Sequence, residues 1–598
     1  MDGEQLPLLG DEAAALGAMH AGLSGAYGYP GTPSTEILEY LIGAAEKIRA
    51  GADAFHASWC SNEKTAMEAA LGTSFAGRRA LVTMKHVGLN VAADPFINGS
   101  LLGIRGGLVV AVADDPGMHS SQNEQDSRFY SAFAMIPCLE PRSQQEAYDM
   151  AREAFDVSER FQTPVMLRLV TRLSHARAGV MVRAARPQNP PSKGEDKTRW
   201  MLLPVHARRN YASLIERQKD ILAWSAAHAA NKLELDEPGL QGARDRGFAV
   251  ITSGLGGNYY EENLEDLVEQ RGGRVPARLH IGAYPLPAGS IRKLCEKAET
   301  VLVLEEGQPF IEEKLRGLLP PAVTILGRLN DAGGKGPAMA VNRCGELDPD
   351  KVRSALALPP RPSMLSAGGL KFPGVSEKNT EALPGRPPQL CTGCPHGDSY
   401  AVINRVVAEL DSEKGHPKVA VCSDIGCYSL GAAPPWEAIE TVVCMGASVG
   451  MARGAAEAGI PYAIAVIGDS TFIHSGITGL IDAVAAGSPM TLIILDNSIV
   501  AMTGCQPTMV PSDKLRALIL GCGVDPAHLL ELEAKNQFLE ENAARLKAEV
   551  VYPGLSVVIF RRECLEALRK QRGREKAGGE RPLAAGSQGS EQKDGAKA

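Results

Sequence analysis

Tyr462-Ala463-Ile464-Ala465-Val466-Ile467-Gly468-Asp469-Ser470 decides how this chain is read. A run of this kind, closed by Gly-Asp-Ser, predicts a strand buried on both faces with Asp469 at its carboxyl end. After 25 further residues the pattern returns: Thr491 to Leu495 is strand-forming and ends in Asp496-Asn497. Ligands of open α/β sheets bind outside the carboxyl ends of the strands. Two neighbouring strands would bring Asp469 and Asn497 together as oxygen ligands. Mg²⁺ suits such a pair, because it takes few protein ligands and fills its shell with water or phosphate oxygens. A backbone carbonyl near Ile499 would complete the set. Two polar strand ends that hold nothing would give the same spacing.

The same alternation extends outward. From residue 1 to about 180, strand candidates (Ala80 to Lys85, Leu108 to Ala113, Val165 to Val170) alternate with helix candidates (Glu36 to Ile48, Asn62 to Phe75). That order predicts a parallel sheet covered by helices. Residues 181–246 open Pro- and Lys-rich (Arg186 to Lys197) and continue as a polar helix, a connecting segment. A second α/β unit spans 247–345, with strands at Phe248 to Ser253 and Val301 to Glu305. A Pro/Gly-rich linker follows over 346–390. A third unit covers 391–570, and the polar tail 571–598 is expected to be disordered. The fold class is therefore α/β: three consecutive α/β units with mostly parallel sheets.

Composition bounds the function. At 598 residues the chain exceeds a single core. A net charge of −8 gives no electrostatic support for nucleic-acid binding. No apolar run approaches the roughly 20 residues of a membrane span. The start, Met1 to Gly10, lacks the basic and apolar regions of a signal peptide, so the expected location is cytoplasmic. The 12 cysteines are then read as thiols or metal ligands rather than disulfides.

Cys391-Thr392-Gly393-Cys394-Pro395-His396 opens the third unit. Cys427 follows the strand Lys418 to Cys422, and Cys564 follows Leu555 to Phe560. All lie at strand ends or adjoining loops, so they could converge on one sheet edge. Four thiolates are what a [4Fe–4S] cluster requires; zinc accepts the same ligands, and free thiols are the third reading. Cys391, Cys394 and Cys427 are the firmer ligands; Cys564 is chosen as the fourth, with Cys505 its competitor. Cys60, Cys138, Cys295, Cys344, Cys422, Cys444 and Cys522 are read mainly as core residues. The Gly468-to-Asn497 segment looks like the signature of a thiamine-diphosphate (TPP) site, which favours a redox role for the thiols.

The motifs together resemble the large subunit of indolepyruvate:ferredoxin oxidoreductases, within the 2-oxoacid:ferredoxin oxidoreductase family. They are Gly28 to Ser34, Asn62-Glu63-Lys64, Val82 to Asn90, Asp114 to Gln122, Cys391 to His396, Asp424 to Tyr428, Cys444 to Ser448, Gly468 to Ser475 and Ala501 to Gly504. They cover most of residues 25 to 565, in the family's order. The resemblance implies two TPP-binding-fold domains, 1–180 for the pyrimidine and 391–570 for the diphosphate, and a transketolase C-terminal-like domain at 247–345. It implies that Glu63 protonates N1′ of the aminopyrimidine, a task suited to a carboxylate facing an apolar pocket. A residue placed at a helix start for its dipole would look the same. Thr32 resembles the family threonine near the 2-oxo acid carboxylate and could equally be a turn residue. His86 and Asn90 would line the same pocket. Gly468, Asp469, Ser470 and Asn497 would belong to the diphosphate and Mg²⁺ site; His474 and Ser475 would approach the diphosphate or could equally be helix-entry residues, and His396 would be a cofactor contact or an ordinary loop histidine.

The resemblance further implies oxidative decarboxylation of an aryl 2-oxo acid such as indolepyruvate to an acyl-coenzyme A and CO₂. It implies a small beta subunit, ferredoxin or a similar electron acceptor, and an α2β2 complex built on a dimer of this chain. Many family members end in a ferredoxin-like domain rich in Cys-x-x-Cys runs. No cysteine follows Cys564, so a single cluster is expected. The competing readings are a non-oxidative TPP-dependent 2-oxo acid decarboxylase or lyase, and a binding subunit without cofactors.

Overall fold

The computed structural model describes residues 3–48, 51, 54–192, 194, 196, 198–235, 245–296, 298–330, 339–361, 388–412 and 418–576. The chain divides into two compact units, Met1–Glu381 and Ala382–Ala598. The mixed α/β class with mostly parallel sheets holds in both.

The first unit contains a seven-stranded sheet in the order Ala283–Tyr284, Cys138–Leu139, Val165–Val170, Leu108–Asp114, Ala80–Lys85, Gly25–Gly28, His56–Trp59. All neighbours are parallel except the first pair. Val165–Val170, Leu108–Asp114 and Ala80–Lys85 are buried along their whole length, as their near-continuous apolar runs require. The helix Gln144–Phe161 covers one face, burying Ala147, Tyr148, Ala151, Ala154, Phe155 and Phe161 along one stripe. Ser143 caps it by accepting from the Glu146 N–H.

A five-stranded sheet lies in the same unit: Thr324–Leu326, Thr300–Leu304, Asp245–Ser253, Pro276–Ile281 and Leu233–Glu234, with the last strand antiparallel. Expected as a separate unit over 247–345, it is tied to the first sheet. Ala283–Tyr284 pairs with Cys138–Leu139, and the apolar cores contain residues from both sheets. A charged network crosses the same junction. Arg128 and Arg168 are fully buried. Arg168 meets Asp114 at 2.7 Å and Glu140 at 2.5 Å; Arg128 meets Asp126 at 2.5 Å and Glu305 at 3.0 Å. The hydroxyl of Tyr284 donates to Glu140 at 2.5 Å. Between the sheets the chain runs through the polar helix Pro204–Ala227, in the segment read as a connector.

The second unit holds a six-stranded, all-parallel sheet in the order Thr441–Val442, Val419–Ser423, Tyr462–Gly468, Met490–Asp496, Ser556–Arg561, Leu529–Glu533. From Val419–Ser423 the chain adds a strand on one side, then crosses to continue on the other. The switch point therefore falls between Val419–Ser423 and Tyr462–Gly468, where a crevice opens at the carboxyl ends.

Three expectations need correction. The segment from 571 is not structureless at its start: the helix Leu565–Lys576 runs through it, held partly by the Lys570 ammonium donating to the Gly504 carbonyl at 3.0 Å. Residues 577–598 and most of the 346–390 linker lie outside the described residues, but Pro349–Ala355 within that linker is a helix capped by Asp348. Cys344 and Cys444 are exposed rather than in the core, because each sits in a loop outside the apolar clusters.

Candidate active site

In the second unit the strands Tyr462–Gly468 and Met490–Asp496 are direct parallel neighbours, with Gly468 opposite Leu495. That register places Asp469 opposite Asp496, one residue from Asn497, at the carboxyl edge; Asp469 and Asn497 are both buried. Asp469 accepts from the Ser470 N–H at 2.7 Å and the Ser498 N–H at 2.8 Å. Asp496, one residue before Asn497, is balanced by Arg561 at 3.0 Å and by the Ser512 hydroxyl at 2.6 Å. Burial first, and the charge of Asp496 second, push the Asp469 carboxyl well above the usual range. A buried carboxylate beside another is the donor a divalent cation would relieve, so the residues fit Mg²⁺.

Asn497 is fixed from two sides. Its side-chain N–H donates to Nε2 of His396 at 3.1 Å, and its Oδ1 accepts from the Ile499 N–H at 3.1 Å. Burial lowers His396 to about 4, so the ring is neutral at pH 7 and can accept at Nε2. The Asn497 carbonyl accepts from the Cys564 N–H at 3.3 Å. Gly468 cannot carry a side chain: a Cβ there would fall 2.5 Å from the Tyr428 ring. Ser470 follows on the short helix Asp469–Thr471, and His474 is buried in the wide helical turn Phe472–Gly476, hydrogen-bonded to Ser475. Such turns occur frequently at functional sites. Ile499 begins the short strand Ile499–Val500 and is half-buried.

Asp424 lies across the switch point, directly after the strand Val419–Ser423, and the sequence alone assigns it no role. It accepts from the Ser448 N–H at 3.1 Å and the Ser448 hydroxyl at 2.6 Å, and from the Tyr428 hydroxyl. Burial raises it to about 6. It thereby ties Cys427-Tyr428 to the start of the helix Ala447–Glu457. Aspartate four residues before an aromatic, at a predicted strand end, was the available signal.

The cysteines Cys391, Cys394, Cys427, Cys505 and Cys564 lie within electrostatic reach of one another. Burial first, then Cys564, Cys394, Cys391 and Cys505, push the Cys427 thiol up to about 12. Cys505 is strained into the left-handed region at φ +71. A site where thiolates crowd one another is relieved by a polycationic centre. Among the described residues no three His, Cys, Asp or Glu side chains are arranged around a single metal ion. Zinc needs all its thiolates on one ion, whereas a [4Fe–4S] cluster takes each on a different iron. The thiol donor set is of the kind that either centre takes.

In the first unit, Glu63 opens the helix Glu63–Phe75 and is buried; Asn62 caps that helix by accepting from the Thr65 N–H at 2.9 Å. Glu63 lies over Gly88, in the helix His86–Val91 that follows the strand Ala80–Lys85. Thr32 is half-buried at a turn, its carbonyl accepting from the Ser120 hydroxyl at 3.2 Å. His86 is buried, with Nε2 3.2 Å from the Asn123 carbonyl. Asn90, expected to line the pocket, is exposed and accepts from the Tyr130 hydroxyl at 2.6 Å.

Two family models match. "Pyruvate flavodoxin/ferredoxin oxidoreductase, thiamine diphosphate-binding" covers residues 16–219, and "Thiamine pyrophosphate enzyme, C-terminal TPP binding domain" covers residues 424–529. With the sheet-edge geometry they define the class: a TPP-binding oxidoreductase of the 2-oxoacid:ferredoxin type. Indolepyruvate oxidoreductase subunit IorA of Archaeoglobus fulgidus is 38% identical over 591 residues, covering 96% of this chain and 89% of that one. The same subunit of Methanothermobacter thermautotrophicus is 34% identical over 589 residues, with the same coverage. The chain belongs to the IorA family of indolepyruvate oxidoreductase subunits. Among solved structures, a 2-oxoglutarate:ferredoxin oxidoreductase from Magnetococcus marinus aligns with a TM-score of 0.43 at 15% identity, over 54% of this chain and 61% of that chain. No helix among the described residues is long and apolar enough to cross a membrane.

Proposed function

We propose that the chain catalyses the TPP-dependent oxidative decarboxylation of an aryl 2-oxo acid, indolepyruvate or a related arylpyruvate, to an aryl-acyl-coenzyme A and CO₂. The two electrons leave through one [4Fe–4S] cluster to ferredoxin or a similar acceptor. One observation carries the reading: Asn497 belongs to the diphosphate edge and is hydrogen-bonded through its carbonyl to Cys564 of the thiol group. Cofactor and electron exit would then share one rigid edge, which favours oxidation over simple decarboxylation.

In this reading Asp469, Asn497 and the Ile499 carbonyl hold Mg²⁺, with Gly468, Ser470 and His474 at the diphosphate. Cys391, Cys394, Cys427 and Cys564 hold the cluster, with Cys505 as a near neighbour. Glu63 holds a proton at the aminopyrimidine N1′, and Thr32 faces the substrate carboxylate. Bound TPP supplies the nucleophilic carbon and the electron sink for decarboxylation. His396 orients the metal ligand Asn497, and Tyr428 and Asp424 fix the loop that carries Cys427. The working unit is cytoplasmic: a dimer of this chain, each copy with a small beta subunit. The boundaries are 1–180 for the pyrimidine domain, 247–345 for a chiefly structural domain and 391–570 for the diphosphate domain.

Anaerobic purification with any co-purifying small subunit, followed by assay of TPP, iron and acid-labile sulfide per chain, tests it. About four irons and four sulfides, stoichiometric TPP and arylpyruvate-dependent reduction of a viologen dye are expected. TPP without iron, even after anaerobic reconstitution, would replace this reading with the non-oxidative lyase.

A further inference from the structure

Lys85 ends the strand Ala80–Lys85, three residues before the Gly88 on which Glu63 rests. Only 8% of it is exposed. Lysines this deep are almost always ion-paired. Among the described residues Lys85 forms no ion pair; its ammonium donates to one neutral acceptor, the Ser120 carbonyl, at 2.8 Å. Among the described residues, Asp115 is the carboxylate whose charge reaches it. The Asp115 oxygens are already satisfied by the Ser120 N–H at 2.8 Å, the Ser121 hydroxyl at 2.6 Å and the Thr171 hydroxyl at 2.7 Å. An ammonium has three N–H donors, so two are left without a partner among the described residues.

The surroundings say which partner fits. The Ser120 hydroxyl donates to the Thr32 carbonyl at 3.2 Å. A Cβ added at Gly31 would lie 3.3 Å from the Lys85 Cβ. The turn Gly31-Thr32-Pro33, the loop at Ser120 and the Lys85 side chain therefore meet at one point of the sheet's carboxyl edge, with Glu63 seated one helical turn away. We propose that the Lys85 ammonium is the cation that binds the carboxylate of the 2-oxo acid. This rests on the function proposed above and adds the group that recognises the acid. Burial brings the Lys85 ammonium down to about 8, the cost of holding it unpaired, which a substrate carboxylate would offset.

The chemistry fixes what Lys85 can contribute. During decarboxylation the bond between the carboxylate carbon and the 2-carbon breaks. The electron pair stays on the 2-carbon side and passes to the cofactor, and CO₂ leaves neutral. The carboxylate charge that Lys85 binds is thus carried from the bound acid until that bond breaks, so the contact serves the ground state and the approach to scission alike. Such a contact lowers KM without raising kcat.

The test uses the anaerobic holoenzyme with its small subunit, phenylpyruvate and indolepyruvate as substrates, and a viologen dye. Lys85→Gln keeps a side-chain N–H for the Ser120 carbonyl and removes the charge; Lys85→Arg keeps the charge. Lys85→Gln should raise KM at least 30-fold with kcat within threefold, and Lys85→Arg should recover most of the loss. Inhibition by 3-phenylpropanoate should weaken at least tenfold in Lys85→Gln, while that by 3-phenylpropanamide stays within twofold. If Lys85→Gln loses its TPP, the two inhibitors are compared in Lys85→Arg, where both should bind within fivefold of wild type. Unchanged KM in a TPP-loaded Lys85→Gln, or equal weakening of both inhibitors, overturns the inference alone. Wild-type holoenzyme unresponsive to every 2-oxo acid overturns the proposed function and this inference with it.

Discussion

Asn497 and His396 are 101 positions apart in the chain and share a hydrogen bond of 3.1 Å at the carboxyl edge of one sheet. The imidazole is neutral and buried, so it can accept from the amide, while Oδ1 of Asn497 accepts from the Ile499 N–H. Partners that orient a metal ligand typically contribute about 10–100-fold to metal affinity. His396→Ala should weaken Mg²⁺-dependent TPP retention by about tenfold or more, read by Mg²⁺ titration of the TPP-loaded protein. Retention equal to wild type would show that Asn497 is held by its backbone alone.

Glu63 Oε1 would lie 2.5 Å from a methyl group at Gly88. That position is helical, so alanine fits the backbone and the clash falls on Glu63. Gly88→Ala should lower kcat by about tenfold or more, because small misplacements of a reacting group are expensive. Glu63→Gln, which keeps the shape and removes the proton, should lose about 10²–10⁴-fold with iron content unchanged. Near-normal turnover of Glu63→Gln would remove Glu63 from the mechanism.

Burial and the charges of the four neighbouring thiols together push the Cys427 thiol up to about 12. Cys427→Ala should abolish bound iron and dye reduction while TPP stays bound. Cys505 meets the Lys570 ammonium at the outer side of the group, and Cys505→Ser should keep about four irons. Loss of iron in Cys505→Ser but not in Cys564→Ser would exchange their roles.

Asp11, on the helix Gly10–His20, is fully buried. Burial pushes its carboxyl up to about 8, the Ser174 hydroxyl offsetting only part and the charge of Glu36 adding to it. The folded chain thus keeps a proton that the unfolded chain releases near pH 4. This contribution to stability is full below about pH 4 and is lost as pH rises toward about 8. Asp11→Asn should leave the stability unchanged at pH 4 and raise it at pH 8 by on the order of 1 kcal/mol or more, read from denaturant unfolding at the two pH values. Parallel pH–stability curves for the two proteins would rule the buried proton out.

What the sequence reveals about this molecule follows the range of each interaction. The strands around Asp469 and Asn497 were legible because burial on both faces writes itself as an unbroken apolar run. Their adjacency followed from α/β alternation, and so did the edge that gathers Cys391, Cys427 and Cys564. The seat of Glu63 on Gly88 and the grip of His396 on Asn497 were hidden, since neither is periodic nor local. The burial of Lys85 leaves no mark in the sequence, because nothing local distinguishes a buried lysine from an exposed one at a strand end. The helix at Leu565–Lys576 escaped because its sequence is polar; contacts such as that of Lys570, not an apolar stripe, hold it. The two-residue strand Ala283–Tyr284 is too short to leave a pattern.

That two-residue strand has a bearing on how the chain could be divided. Together with Arg128, Glu305 and Tyr284 it stitches two sheets that a sequence-based dissection would separate near residue 246. A fragment cut there would leave the Arg128 guanidinium without Glu305, Glu140 without the Tyr284 hydroxyl, and an open edge at Cys138–Leu139. Unpaired charge in a dry interior and a bare strand edge are routes to insolubility. The segment that looks like an optional accessory is, for the first sheet, the missing half of its interior.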